Sequence, residues 1–197
     1  MTDTVDRQSL SNRLVGMAQS RWLLLVLVGV ATIETTVVPL PYEALFIALC
    51  LASRNRIWLF TLASVLGSAI GGSIVYWIGA TYFEAAVAWL GAGDLAATYS
   101  ERFAERGASF IFLGGTTPAP SYIINLIAGA SGFPYLEFVS IFSASRLLRF
   151  GVLGLLLFLF GDRLIASWNR LPKIVRRGLM VGLIGALIYW FVTGLSG

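Results

Sequence analysis

Four ionisable residues lie in stretches of sequence that are otherwise apolar enough to enter a membrane: Glu34, Glu43, Arg146 and Arg149. A charged side chain at mid-bilayer costs ~2.5–3.5 kcal/mol on insertion scales, so such charges need a partner or a function. Arg146 and Arg149 are three residues apart and share one helix face. Two acids and two bases at one depth are suited to holding an anionic head group and exchanging a proton. The alternative is two structural ion pairs that lock neighbouring elements together.

Two proline pairs interrupt the same apolar stretches. TTVVPLPY at 35–42 and TTPAPSY at 116–122 each combine Thr-Thr with Pro-x-Pro. Proline breaks a helix, and the backbone groups it frees cannot face lipid, so they must face protein or a water-filled cavity. We therefore expect two helical hairpins, with threonine hydroxyls capping the broken ends. The predicted hairpin residues are Pro39, Pro41, Pro118 and Pro120, with the hydroxyls of Thr35, Thr36, Thr116 and Thr117. Weaker candidates for the same site are Ser121, Tyr122 and Asn125.

The composition indicates an integral membrane protein. Of the 197 residues, 57% are hydrophobic and 12% are charged, and the mean hydropathy is +0.82. Such values are typical of a chain with about four to six membrane passages and short loops. No polar stretch is long enough for a separate soluble domain. The net charge of +4 reflects membrane topology rather than nucleic-acid binding.

The residue types argue against an enzyme and against a metal or cofactor site. Histidine is absent and Cys50 is the only cysteine, which excludes an intrachain disulfide and a thiolate cluster. GASG at 129–132 fits the GxSG of a membrane serine protease, but that chemistry needs a histidine base. The aspartates lie outside the membrane stretches, so the Asp-rich metal box of lipid phosphotransferases is also missing.

Element lengths separate spanning helices from broken ones. The apolar halves 22–33 and 42–52 correspond to roughly 17 Å of helix each, too short for a ~30 Å hydrocarbon core. Gly67 and Gly71 form a GxxxG pair that permits close helix packing or oligomerisation. The remaining expected elements are spanning helices at 57–79 and 135–161, two amphipathic helices within 80–106, a basic loop at 163–177 and a last hydrophobic helix at 178–194.

Charge distribution favours hairpins over kinked spans. If the first proline segment enters and leaves from the cytoplasm and the second enters and leaves from outside, Arg54 and Arg56 join the N-terminus inside, and only Arg102 and Arg106 lie outside. Interrupted segments in corresponding positions of two halves are a sign of an inverted repeat. The predicted fold is an all-α membrane protein, an inverted repeat with two re-entrant Pro-x-Pro hairpins facing each other, about three spanning helices and short interfacial helices. The predicted domains are a cytoplasmic or interfacial segment at 1–21, the membrane domain at 22–165, and a basic loop with a final helix at 166–197.

The order of these motifs resembles one family. An acid followed by Pro-x-Pro-x-acid, a Gly-rich helix ending GGSIVYWIGA, Phe103-x-x-Arg106-Gly107, TTPAP, IAGASGFPYLEF and RLLRF at 146–150 are together similar to the DedA family, also called the SNARE-associated or VTT-domain family. The resemblance covers roughly residues 20–165. It implies a lipid scramblase or flippase of the bacterial inner membrane, in some members acting on polyprenyl phosphate or with protons. Better-known members carry arginines beside the second hairpin's proline; Gly115 and Ser121 stand near those places here, which leaves Arg146 and Arg149 as candidates for the cationic role.

The sequence thus favours a multi-pass protein of the prokaryotic inner membrane, with a cytoplasmic N-terminus, that moves an anionic lipid. Proton coupling is left open. The alternatives are a proton-coupled transporter of a small solute and a non-transporting assembly or scaffold protein. The expected partners are membrane lipids and protons rather than nucleic acid, with an oligomer through the Gly67/Gly71 face as an option. Neither the lipid nor the direction of transport follows from the sequence.

Overall fold

The computed structural model describes residues 21–36, 42–117 and 120–170, and this part of the chain contains helices and no strand. The all-helical fold expected from the sequence is confirmed. Pro39, Pro41 and Pro118, the predicted segment 1–20 and the predicted helix 178–194 lie outside the described residues. The helices are α1 (Arg21–Thr36), α2 (Tyr42–Ala52), α3 (Ile57–Leu90), α4 (Gly93–Arg106), α5 (Ala108–Thr116), α6 (Ser121–Ala130) and α7 (Tyr135–Arg170).

Two stretches within the described residues are long and apolar enough to cross a membrane, Arg54–Leu90 and Tyr135–Arg163. The outward face of α3 is a continuous apolar stripe, formed by the exposed side chains of Leu59, Leu62, Leu66, Ile70, Ile74 and Trp77. Soluble monomers rarely expose so large an apolar patch, whereas a lipid-facing helix does. The membrane character expected from composition therefore agrees with the surface of the fold.

The predicted division of 80–106 into two short helices agrees with a break in the backbone at Tyr82 (φ −135°, ψ 33°), which is not helical. Helix α3 is kinked there, and a short stretch of helix follows at 83–90. Gly91, with a φ of 61°, ends that stretch. The second member is α4, an amphipathic helix that ends at Gly107 (φ 45°).

The predicted basic loop at 163–177 is wrong over its described part. Helix α7 continues to Arg170, and the next proline after Pro134 is Pro172, so no proline interrupts the helix over this range. The chain divides into two compact units, Met1–Phe158 and Leu159–Gly197. In the second unit the guanidinium of Arg163 lies over the ring of Phe160, 6.0 Å from its centroid.

Helix α1 runs parallel to α3, and α2 runs the opposite way. A Cβ placed on Gly67 would lie 2.7 Å from the Cβ of Ala31, and one on Gly71 would lie 3.0 Å from the Cβ of Thr35. The contact with α1 thus advances along both helices together. In α2, the Tyr42 hydroxyl meets the Ser64 hydroxyl at 2.6 Å, and Cys50 packs in one core cluster with Ile57 and Phe60.

A second set of helices, α5 and α6, packs on α7, as the first set, α1 and α2, packs on α3. Helix α7 is antiparallel to α3, since Phe142 lies against Gly72 and Gly154 lies against Ile57. Helix α5 runs parallel to α7, with Gly115 against Ser145 and the Thr117 carbonyl bound by Arg149. Helix α6 runs antiparallel to α7, because Ser121 bonds to Arg146 while Asn125, one turn later, lies near Phe142 against Gly72.

Glycines let both sets approach α3 closely. Gly67 and Gly71 are buried against α1, and any side chain at Gly79 would strike the backbone of Leu126 in α6. In lipid, helices associate through such close contacts rather than through the hydrophobic effect. The Gly67/Gly71 stripe therefore serves packing within the chain, and oligomerisation through it stays a prediction.

Candidate functional site

The two acids lie at the ends of α1 and α2 that flank the first proline pair. Glu34 is in the last turn of α1, and Glu43 is in the first turn of α2. The corresponding ends of α5 and α6, which flank the second proline pair, carry Thr117 and Ser121. All four positions are near α7, which supplies the arginines.

Arg149 joins the two sets of broken helices. One terminal nitrogen, Nη2, forms an ion pair with the Glu43 carboxylate. The other, Nη1, donates to the Thr117 backbone carbonyl at 2.9 Å. Thr117 caps the C-terminus of α5, where unpaired carbonyls carry partial negative charge and favour a cation. The planar fork of arginine can serve both partners at once, which the single ammonium of lysine does less well.

The Glu43–Arg149 pair lies at the protein surface rather than in a dry core. The side chain of Glu43 is 51% exposed and that of Arg149 is 20% exposed. The neighbouring apolar residues Leu45, Leu147 and Leu148 are also exposed. A charged pair bordered by exposed leucines is open to whatever covers those leucines, which in a membrane protein is lipid.

Arg146 is deeply buried, at 2% exposure. Its Nη2 donates to the Ser121 hydroxyl at 2.7 Å, and its guanidinium stacks on the Phe142 ring 4.9 Å from the centroid. Its Nε has no hydrogen-bond partner. A buried guanidinium with an unused donor is costly to the fold, so this arginine is a candidate for binding something besides Ser121.

Glu34 completes the cluster from α1. It is half-buried and lies within electrostatic range of both Arg146 and Arg149. It forms no direct ion pair with either arginine in the described structure; its recorded partner is the Thr35 hydroxyl, which donates to Oε2 at 3.3 Å. The cluster therefore contains one carboxylate paired directly and one held at longer range.

The predicted hydroxyls lie at the ends of the broken helices. Thr36 donates to the Ile33 carbonyl at 2.6 Å. Thr116 and Thr117 both donate to the Leu113 carbonyl, at 3.0 and 2.8 Å. These bonds give carbonyls of the last helical turn a second donor. Thr35 differs, since its hydroxyl bonds to Glu34.

Asn125 and Tyr122 extend α6 away from the arginines. Asn125 is fully buried, and neither its Oδ1 nor its Nδ2 has a partner. On α3, the buried Ser68 hydroxyl is likewise unpartnered, one turn before Gly72, beside which Asn125 lies. Tyr122 packs at the margin of the second apolar cluster, and no hydrogen bond joins it to the charge cluster among the described residues.

Two contributors to the site were not found from the sequence. The Thr117 carbonyl is a backbone group, and every residue has one, so the residue type at this position could not predict its role. Phe142 lies one helical turn before Arg146, and an aromatic residue at that spacing is the signal that could have indicated stacking.

The comparisons with known proteins agree with the motif order. The family model described as VTT domain matches residues 40–161, which is more than half of the chain and includes Glu43, Arg146 and Arg149. A protein of Haemophilus influenzae, described as an uncharacterized protein, is 25% identical over 166 residues, covering 83% of this chain and 85% of that protein. No solved structure matches the chain. The resemblance seen in the sequence is thus confirmed, and the chain belongs to the VTT-domain family.

Proposed function

We propose that this protein is a membrane lipid translocase that moves an anionic lipid, such as a polyprenyl phosphate or a phospholipid, across a prokaryotic inner membrane. The single observation that carries the proposal is Arg149, which is bound at once to Glu43 and to the Thr117 carbonyl beside exposed leucines. A phosphate can take the place of the carboxylate on the guanidinium, while the lipid tails stay among the leucines and the surrounding bilayer.

The arrangement of the helices supports two re-entrant hairpins. α1, α2, α5 and α6 have 16, 11, 9 and 10 residues, and at ~1.5 Å per residue all are shorter than a ~30 Å hydrocarbon core. Helix α1 runs parallel to α3, and α2 runs antiparallel to it. In the same way, α5 runs parallel to α7, and α6 runs antiparallel to it. Because α3 and α7 are themselves antiparallel, the two sets are related by inversion, as in transporters with inverted repeats. The membrane domain proposed on this basis is residues 22–165.

Proton coupling would involve Glu34. It is the carboxyl group of the cluster without a direct arginine partner, so a proton can be exchanged there without breaking an ion pair. Loss of its negative charge would strengthen the hold of Arg146 and Arg149 on an anion, since a competing charge is removed. Lipid binding and proton uptake are therefore expected to favour each other.

Exposure distinguishes this proposal from a scaffold role. A scaffold needs charges only to lock helices together, and such pairs are expected to be fully enclosed. Arg146 fits that description, but the half-exposed Glu43 does not. A transporter of a soluble solute instead needs a cavity that opens to water and is closed to lipid.

The test is reconstitution of the purified chain in liposomes containing trace fluorescent phosphatidylglycerol, phosphatidylcholine or polyprenyl phosphate in separate preparations. Leaflet exchange is followed by chemical quenching of the outer label. We expect faster exchange of an anionic lipid than in protein-free liposomes. Exchange at the protein-free rate for every lipid would reject the proposal.

Topology needs a separate measurement. In a Cys50→Ala background, Asn55→Cys should react with an impermeant thiol reagent from the same side as an N-terminal tag, which we place in the cytoplasm. Labelling from the opposite side would exclude a re-entrant first hairpin.

A further inference from the structure

A cavity of about 460 Å³ lies between α4 and the α5–α6 pair. The α4 side of this α4 cavity is polar, and the side formed by α5 and α6 is mainly apolar. We call the first side the mouth, formed by Tyr99, Arg102, Glu105 and Arg106, and the second side the interior, formed by Phe110, Leu113, Gly114, Ile124 and Thr117. The volume is within the range of about 300–1,000 Å³ that is usual for small-molecule sites.

The mouth carries two guanidinium groups on one helix face. Arg102 and Arg106 are four residues apart, so both point to the same side of α4. Both are exposed, and no ion pair or hydrogen bond of either guanidinium is recorded within the described ranges. Glu105 offsets one positive charge and leaves the mouth net positive. Two like charges held side by side repel each other, and an anion placed between them relieves that repulsion.

The interior is suited to a hydrocarbon chain. Tyr99 packs edge-on against Phe110, with ring centroids 5.4 Å apart, which makes the mouth continuous with the apolar wall. Gly114 faces the side chain of Ile124 so closely that no Cβ fits between them, so the wall at this point is α6 itself. Leu113 is 47% exposed and is available to contact a ligand.

The cavity borders the charge cluster. Its lining includes Thr117, the residue whose carbonyl accepts the hydrogen bond from Arg149 at 2.9 Å. Thr117 is therefore shared by the lining of the α4 cavity and by the contacts of Arg149.

We propose that the α4 cavity is a loading site for the phosphate head group of an anionic amphiphile. Arg102 and Arg106 bind the phosphate, Phe110 and Leu113 contact the adjoining chain, and the head group then passes to Arg149 beside Thr117. The binding step stands by itself; the transfer to Arg149 rests on the proposed function.

The binding test uses the full chain in neutral detergent with fluorescent phosphatidylglycerol as the probe. Replacing both guanidiniums, in Arg102→Gln/Arg106→Gln, should weaken binding about tenfold, because charge-assisted hydrogen bonds to the phosphate are lost. Phosphatidylcholine with the same chains should bind weakly to both proteins. Arg163→Gln, an exposed arginine of α7 outside this cavity, is the matched control and should bind as the unmodified chain does.

Two further arms separate a lipid from a free anion. Inorganic phosphate should displace the probe far less effectively than unlabelled phosphatidylglycerol. Leu113→Ala, which shortens the apolar side chain without placing a polar group in lipid, should weaken lipid binding severalfold. Equal displacement by inorganic phosphate, or unchanged binding in Leu113→Ala, would show a simple anion site and overturn the lipid proposal.

Transport then separates the two proposals. In liposomes, Arg102→Gln/Arg106→Gln should raise the lipid concentration needed for half-maximal exchange about tenfold and leave the maximal rate near normal. Unchanged probe binding by this double variant would refute the loading site while leaving translocation by the Arg149 cluster intact. If the unmodified chain transports nothing, translocation fails, yet the binding comparison still decides the loading site.

Discussion

The two pairs of broken helices are built alike but differ in charge. The first pair, α1–α2, brings Glu34 and Glu43 to the neighbourhood of α7, whereas the second pair, α5–α6, brings the neutral groups of Thr117 and Ser121. One helix, α7, serves both through two arginines. In the proposed mechanism the first pair supplies a removable negative charge, and the second supplies fixed dipoles that hold the guanidiniums in place while their anionic partner changes.

The largest expected effect concerns the geometry of Arg149. Arg149→Lys keeps the charge but loses the fork that holds the Thr117 carbonyl and an anion together. We expect lipid exchange in liposomes to fall about a hundredfold, equivalent to ~2.8 kcal/mol, with little change in thermal unfolding because lysine keeps the positive charge beside Glu43. Arg163→Lys on the same helix is the control. Full exchange by Arg149→Lys would show that charge alone suffices and that the fork is irrelevant.

The next effect concerns the packing that the two pairs share. Gly71→Ala at the α1–α3 contact and Gly79→Ala at the α3–α6 contact should each lower the free energy of unfolding by ~1–3 kcal/mol, as overpacking does. Gly29→Ala is the control, since a Cβ there meets nothing within 4 Å. Denaturation in detergent measures all three. Equal stability of Gly29→Ala and the two contact variants would show that the close contacts at Gly71 and Gly79 do not contribute to the stability of the fold.

A smaller effect is expected for the ion pair between Glu43 of α2 and Arg149 of α7. A double-mutant cycle with Glu43→Gln and Arg149→Gln should give a coupling free energy of ~0.6 kcal/mol, which is the average for polar contacts between membrane helices. A value of several kcal/mol would indicate a structural lock of the kind that a scaffold needs.

The smallest effect concerns Asn125, which is buried without partners in the neutral half. Asn125→Leu should change the free energy of unfolding by no more than about 1 kcal/mol and in the stabilising direction, since an unsatisfied amide is removed. Marked destabilisation on calorimetry would mean that the Asn125 amide is hydrogen-bonded to a bound molecule. The α5–α6 pair would then contribute a binding group in addition to the dipoles of Thr117 and Ser121.

Much of this architecture follows from sequence. The long apolar stretches predicted α3 and α7, and the prolines predicted where the short helices end. The cost of membrane charges predicted that acids and arginines would be close to each other, and Glu43 and Arg149 are. These predictions depend on local composition and on a strong energetic penalty, both of which are readable along the chain.

Other features depend on tertiary packing and were not predictable. The Thr117 carbonyl binds Arg149 because α5 ends beside α7, and a backbone group leaves no mark in the sequence. The α4 cavity exists because Gly114 brings α5 against α6, so exposed arginines of one helix border an apolar interior formed by two others. The position of the kink in α3 at Tyr82 was not predictable either, because neither glycine nor proline lies between Ala80 and Leu90 to mark it.

The central claim is that the arginines of α7 bind a lipid head group rather than only joining two halves of a fold. Arg146→Met/Arg149→Met, made together with Glu34→Gln/Glu43→Gln so that no carboxylate is left unpaired, tests it most directly, because neutral replacement of both partners of an ion pair often leaves stability intact. The variant should unfold within a few degrees of the unmodified protein and insert normally. In liposomes with fluorescent phosphatidylglycerol we predict exchange at the protein-free rate. Normal exchange by this well-folded variant would contradict the head-group role.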